Sequence, residues 1–349
     1  MPVTLTSLTD LSRLPFDAII DVRSPAEYAE DHLPGAINLP ARSNEERAEV
    51  GTIYKQVSAF DAKKLGAAMV ARNVAGHLLG PLRDMTGGWR PLVYCWRGGQ
   101  RSGSVATILG QIGWRTDTIA GGYKAWRSLV VEALNVTPFT APLTVLDGNT
   151  GSAKTELLNL LPGHGIQVID LEGLARHRGS LFGAMPGGQP DQKGFDTALA
   201  MQIAGLDPTR PVVVEAESSK VGNIRLPVQL WKAMQAAPRI AIAAPPDARA
   251  RYLTRAYGDL IADPARLLDI IAKLRPSHAA ERIAAWQGMA ATGQYEALAA
   301  ALMEHHYDPR YLKHRDRVAQ GRLTEIAAPA LAAGDLPGIA GQVAKAVLR

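Results

Sequence analysis

The chain is expected to fold as two α/β domains, residues 1–136 and 137–349, the second with a parallel sheet and a largely helical C-terminal region. Three observations lead there. Short apolar runs alternate with helical patterning through both halves. A proline-interrupted break, Thr137-Pro138-Phe139-Thr140-Ala141-Pro142, separates them. Each half also holds one Gly-containing loop placed directly after an apolar run. A length of 349 residues exceeds what one hydrophobic core usually organises.

In chain order, 17–21, 36–39, 92–95 and 118–120 read as strands of the first domain. Between the last two, Val105, Ile108, Leu109 and Ile112 fall at i, i+3, i+4 and i+7, which predicts an amphipathic helix over 102–113. After the break, 143–147, 167–170, 211–215 and 239–243 read as short buried strands of a parallel sheet. From Asp247 to about Leu302 the sequence turns Ala-, Leu- and Arg-rich at helical spacing. No fixed-period repeat interrupts this order.

Composition excludes several classes. With 47% hydrophobic and 20% charged residues the chain reads as globular. A single cysteine makes no internal disulfide and no Cys-rich zinc site, which fits a reducing compartment. The polar start and the lack of a long apolar stretch lead us to expect a cytoplasmic protein without a membrane span. The net charge is +5. Residues 1–136 carry 15 basic and 13 acidic side chains and the remainder 23 and 20, so no basic tail advertises nucleic acid.

Cys95 ends the run Pro91-Leu92-Val93-Tyr94-Cys95 and precedes Trp96-Arg97-Gly98-Gly99-Gln100-Arg101-Ser102. Backbone N–H groups, the start of a helix and the guanidinium groups of Arg97 and Arg101 all favour thiolate over thiol. A buried structural cysteine is the competing reading. In the second half, Gly148-Asn149-Thr150-Gly151-Ser152-Ala153-Lys154-Thr155 follows one strand and opens a helix. It is close to G-x-x-x-x-G-K-[ST], with Ala153 where the second glycine belongs. Such a loop curves N–H groups around phosphate oxygens while Lys154 adds a point charge, so a pyrophosphate group is the expected guest. The Ala153 methyl strains the usual geometry and argues against ordinary ATP or GTP turnover.

Acids at strand ends complete the candidates. Glu215 and Asp170 could orient Mg²⁺ or accept a proton beside the phosphates, with helix capping as the alternative for Asp170. Arg249, Arg251 and Arg255 form either a phosphate clamp or a solvated basic face.

Longer motifs then point to a family. Asp21-Val22-Arg23-Ser24-Pro25-Ala26-Glu27-Tyr28 with His32-Leu33-Pro34-Gly35-Ala36-Ile37-Asn38-Leu39-Pro40 resembles the opening signature of rhodanese domains. Gly121-Gly122-Tyr123-Lys124-Ala125-Trp126 resembles their closing motif, and Cys95 falls where they carry the persulfide-forming cysteine. The spacing from Cys95 to Arg101, C-x₅-R, is longer than the common rhodanese loop and matches a phosphatase-type phosphate loop. Together with Asp170-Leu171-Glu172-Gly173-Leu174-Ala175-Arg176-His177-Arg178-Gly179-Ser180, Gln189-Pro190-Asp191-Gln192-Lys193, Glu215-Ala216-Glu217-Ser218 and His306-Tyr307-Asp308-Pro309, the chain resembles the bacterial tRNA 2-selenouridine synthase family.

The resemblance implies a rhodanese-like α/β domain followed by a P-loop NTPase-like parallel α/β domain. It implies an enzyme that replaces the sulfur of wobble 2-thiouridine in tRNA with selenium from selenophosphate, through an S-geranylated intermediate made with geranyl diphosphate. No tightly bound cofactor is expected, with Mg²⁺ as a possible exception. Carried onto this chain, Cys95 serves selenation, as selenium carrier or as an aid to loss of the geranyl thiol. Arg97 and Arg101 bind the selenophosphate phosphate or hold the thiolate. Gly148, Asn149, Thr150, Gly151, Ser152, Ala153, Lys154 and Thr155 hold the diphosphate. Arg176, His177, Arg178 and Ser180 are candidates for tRNA or phosphate contacts. The rival readings are a thiosulfate sulfurtransferase, a P-loop kinase with an appended rhodanese module, and a noncatalytic tRNA-binding protein.

Overall fold

Two compact units form, one from residues up to Pro138 together with Pro190–Gly205, the other from Phe139–Gln189 and Leu206–Arg349. The computed structural model describes residues 2–310 and 323–349.

The first unit contains β1 (Ala18–Asp21), β2 (Ala36–Asn38), β3 (Pro91–Tyr94) and β4 (Asp117–Thr118). They form a parallel sheet in the order β2-β1-β3-β4, with Asp21 paired to Tyr94. Ile20, Leu92 and Val93 are fully buried, as runs covered on both faces require. Because β1 and β3 are parallel and in that register, Asp21 and Cys95 leave the sheet at the same edge. Parallel sheets bind ligands at this carboxyl edge. The expected amphipathic helix is Gln100–Gln111, burying Ser102, Val105 and Leu109. Two helices that the sequence reading did not single out, Asn44–Gln56 and Ala59–Leu79, pack on each other through Val50, Ala62 and Met69.

The second unit contains β5 (Leu143–Gly148), β6 (Gln167–Ile169), β7 (Val212–Glu215), a small antiparallel pair β8 (Lys220–Val221) and β9 (Ile224–Arg225), then β10 (Arg239–Ala243) and β11 (Leu323–Ala327). The main sheet is parallel, in the order β11-β10-β5-β7-β6. The four expected strands are present, and β11 adds a fifth. Its burial pattern, with only Ile326 enclosed, explains why no apolar run announced it. Helices Pro246–Ala256, Pro264–Ala272, Ala280–Ala291 and Tyr295–Leu302 supply the expected helical region. Among the described residues, no helix is long and apolar enough to cross a membrane.

The expected division at 136/137 lies close to the observed one, but residues 190–205 need a correction. Helix Gln192–Ala204 belongs with the first unit. Its Thr197 Oγ1 donates to Asp31 Oδ2 at 2.9 Å, Lys193 Nζ pairs with Glu30 Oε1 at 2.6 Å, and Asp196 pairs with Arg127. Long-range ion pairs carry no periodic signal, so the segment looked like more of the second domain.

Candidate active sites

In the first unit, sequence chemistry builds a rigid frame around one thiol. Asp21 and Arg23 form a buried ion pair, Tyr94 donates its hydroxyl to Asp21 Oδ2 at 2.6 Å, and the Arg23 guanidinium lies 3.9 Å over the Tyr123 ring. Removing one partner of such a pair costs about 3–5 kcal/mol, because the other charge is left buried alone. Tyr123 donates to Asp31 Oδ2 at 2.8 Å and ties the closing motif to the opening one. Gly122 sits at φ +56°, where a Cβ would lie 2.2 Å from the Cys95 carbonyl oxygen. Only a glycine lets that turn touch the thiol loop.

Cys95 is 3% exposed, with Sγ 3.2 Å from Ser102 Oγ. Burial pushes the thiol up, but the Ser102 hydroxyl and N–H, the Arg101 charge and the Arg97 N–H together bring it below its ordinary value. These partners favour the thiolate despite the burial. Arg101 donates to Glu27 Oε2 at 3.0 Å, and Arg47 reaches the same oxygen at 3.1 Å. Glu27 thus orients Arg101, whose charge also favours the Cys95 thiolate, one of the two roles the resemblance offered it. Arg97 is exposed at the loop.

In the second unit, the Gly148–Ala153 turn links β5 to helix Lys154–Leu160. Ala153 adopts the left-handed conformation at φ 60° and is 2% exposed. That backbone costs about 1–2 kcal/mol for a non-glycine residue, offset in part by burial of its methyl. The strain expected of this substitution is thus present in the backbone. Lys154 Nζ donates to Gly148 O at 2.8 Å, curling over the loop. Arg249, 5% exposed in its side chain, donates to Thr150 O at 3.0 Å and to both carboxylate oxygens of Asp308. It is neither a phosphate clamp nor a solvated face; it braces the loop from behind. The motif His306–Pro309 owes its place to this, since Asp308 directly follows the π-helical turn Met303–Tyr307.

A cavity of about 620 Å³ opens over the loop, lined by Thr150 through Thr155. Asp170, Arg178 and Ser180 line it too. Gly148 and Asn149 shape the turn without lining the cavity, and neither Arg176 nor His177 lines it. Arg176 terminates helix Leu171–Ala175 in the left-handed conformation, and His177 makes an antiparallel bridge to Ala184. Arg178 pairs with Asp259 at 2.9 Å and lies over the Tyr257 ring. Asp170 caps helix Leu171–Ala175 by accepting from Gly173 N at 2.7 Å, the alternative weighed for it.

The acids are arranged differently from the sequence expectation. Glu215 is fully buried and accepts from the Glu172 N–H at 2.7 Å. Burial, and then the Asp170 charge, push its carboxyl well above the usual range, which favours the protonated form. Among the described residues, no group of three His, Cys, Asp or Glu is arranged to hold a metal ion. Glu172 and Glu217 line the cavity, along with Asp147, Glu156 and Asp170. Glu172 Oε2 accepts from Thr155 Oγ1 at 2.7 Å. Glu217 is pushed up to about 8, first by burial and then by the Glu172 charge. A signal was present in the spacing: Glu215 and Glu217 follow β7 two apart.

This pair makes a pH prediction. The folded state holds the Glu217 proton longer than the unfolded chain does, whose carboxyl titrates near 4.5, so stability falls as pH rises from about 4.5 to about 8 and levels off above. Glu217→Gln removes that slope. Its thermal midpoint is expected above the wild-type value at pH 8 and equal to it at pH 4.5, measured by calorimetry across the range. Parallel wild-type and variant curves would contradict the assignment.

Five residues of the cavity wall, Thr150, Ser180, Leu253, Tyr257 and Tyr307, are shared with a second cavity of about 80 Å³. Its remaining wall is apolar, including Phe182, Leu260, Leu267, Leu298 and Leu302. A phosphate loop that opens into hydrocarbon suits a diphosphate ester with an apolar tail.

The fold has two α/β units, one presenting Cys95 at a strand-to-helix loop and one carrying a glycine-containing loop of P-loop type between a strand and a helix. Residues 4–129 match the rhodanese-like domain family, and residues 141–268 match the tRNA 2-selenouridine synthase AAA domain family. The chain is 34% identical over 323 residues to a tRNA 2-selenouridine synthase of Chromohalobacter salexigens, covering 84% of this chain and 86% of that protein. It is 38% identical over 254 residues to one from Aeromonas salmonicida, covering 71% and 67%. For one from Nitrosomonas europaea it is 40% identical over 213 residues, covering 60% of this chain and 55% of that protein. The chain belongs to the tRNA 2-selenouridine synthase family.

Proposed function

We propose that the chain converts 2-thiouridine at the wobble position of tRNA to 2-selenouridine, with geranyl diphosphate and selenophosphate as co-substrates. The second unit serves the first operation. The thiocarbonyl sulfur attacks C1 of the geranyl donor, the C–O bond breaks with its electron pair passing to the diphosphate, and the base loses its N3 proton. Lys154 and the loop N–H groups stabilise the charge that grows on the leaving group. Alkylation turns a poor leaving group into one that departs as a thiol. Selenium then adds at C2, the C2–S bond breaks, geranyl thiol leaves, and hydrolysis of the P–Se bond releases phosphate. Cys95 serves this second operation.

The observation that carries this reading is the apolar cavity joined to the phosphate loop. A nucleotide base has polar edges to satisfy, which walls made mostly of leucine, isoleucine, methionine and phenylalanine serve poorly, whereas a prenyl tail gains about 0.8 kcal/mol per buried methylene. Geranyl diphosphate is therefore expected to bind up to about 10³-fold more tightly than dimethylallyl diphosphate, which is five carbons shorter. Ala299→Trp fills the cavity and is expected to abolish that preference while leaving inorganic pyrophosphate binding intact. Isothermal titration with the three ligands checks both statements. Equal affinity for the two prenyl donors, or tighter binding of ATP, would favour the kinase reading instead.

A further inference from the structure

A groove of about 990 Å³ lies on the first unit beside the thiol loop, and its lining contains five cations, Arg42, Arg47, Lys55, Lys63 and Arg101, with no acidic residue. Its floor is made of small side chains where helices Asn44–Gln56 and Ala59–Leu79 meet; the Arg42 guanidinium sits 3.4 Å from where a Cβ on Gly66 would lie. One end reaches Gln100 and Arg101, in the first turn of the helix that follows the Cys95 loop. The other reaches Tyr54, 55% exposed, near a hairpin tip that also presents Val57 at 76% and Phe60 at 73%. Glu27 is the carboxylate that pairs with Arg47 and Arg101, so positive charge is left in excess at that end. Charges nearly balanced along the sequence thus leave a groove whose lining is basic.

We propose that this groove holds the phosphodiester backbone of the substrate tRNA on its approach to Cys95, with the exposed aromatic tip stacking an unpaired base. This deepens the proposed function and rests on tRNA being the substrate. A groove lined by five cations, only two of them paired to Glu27, suits a run of phosphates, and its volume exceeds what one small anion fills. Exposed aromatics beside such a row bind single-stranded bases without demanding a sequence.

The test is binding of 2-thiouridine-containing tRNA by fluorescence anisotropy at 50–200 mM salt, with Lys55→Glu/Lys63→Glu compared with wild type and with Lys220→Glu/Lys345→Glu, which makes the same change in net charge in the second unit. The groove variant is expected to bind at least about tenfold more weakly at the lowest salt. Its slope of log affinity against log salt is expected to be shallower by about 2, one unit per lost phosphate contact. The control variant keeps the wild-type slope. Unchanged alkylation of Cys95 by iodoacetamide and unchanged geranyl diphosphate binding show that the groove variant is folded. A wild-type slope in the groove variant, or an equal loss in the control, overturns the groove assignment. Failure of the wild-type protein to bind tRNA instead overturns the proposed function.

Discussion

Cys95→Ser is expected to stop selenouridine formation while the S-geranylated nucleoside accumulates to the level of its precursor. The hydroxyl is nearly isosteric and can still meet Ser102 Oγ, so the fold is retained. Chemistry is what changes, because the environment that lowers the thiol cannot bring a hydroxyl near ionisation. Loss of a nucleophile that acts with its neighbours removes on the order of 10⁴-fold or more in rate. Nucleoside mass spectrometry of the product RNA reads both species at once. If the serine variant made selenouridine at the wild-type rate, the thiol would have no part in selenation and the first unit would lose its assigned role.

Lys154→Ala is expected to give the opposite pattern, blocking geranylation and leaving 2-thiouridine untouched. The ammonium group already reaches back to Gly148 O, so little movement brings it over a diphosphate seated on the loop. Removing one donor that stabilises a leaving anion costs on the order of 10²–10³-fold in rate. The variant should nonetheless convert pre-geranylated tRNA to selenouridine normally, which separates a defect of the loop from general damage. Failure on that substrate as well would show that the two operations are not divided between the loops as proposed.

Both loops were legible in the sequence because each is local: a strand, a turn and a helix start within a dozen residues, and the chemistry lies in the same stretch. The strands of both sheets, β11 and the pair β8 and β9 excepted, were legible from equally short apolar runs. What escaped the sequence depends on distant residues. Helix Gln192–Ala204 joins the first unit through Asp31, Glu30 and Arg127, none adjacent to it in the chain. Glu172 and Glu217 face the cavity because Glu215 turns inward to hold a backbone N–H, a choice made by burial rather than by spacing. Arg249 was placed by its partners Thr150 and Asp308, and the basic groove by the crossing of two helices whose own sequences are mixed in charge. Arg176 and His177, which the resemblance offered as tRNA or phosphate contacts, use their backbones for a helix end and a bridge, a placement that their sequence did not announce.

The central claim is that one polypeptide performs two consecutive operations on one base. The most direct measurement is a single-turnover time course with 2-thiouridine tRNA, geranyl diphosphate and selenophosphate, with each donor omitted in turn. The account predicts that the S-geranylated nucleoside rises first and decays as selenouridine appears, that it accumulates without selenophosphate, and that no selenouridine forms without geranyl diphosphate. Selenouridine formed at full rate in the absence of geranyl diphosphate would contradict it.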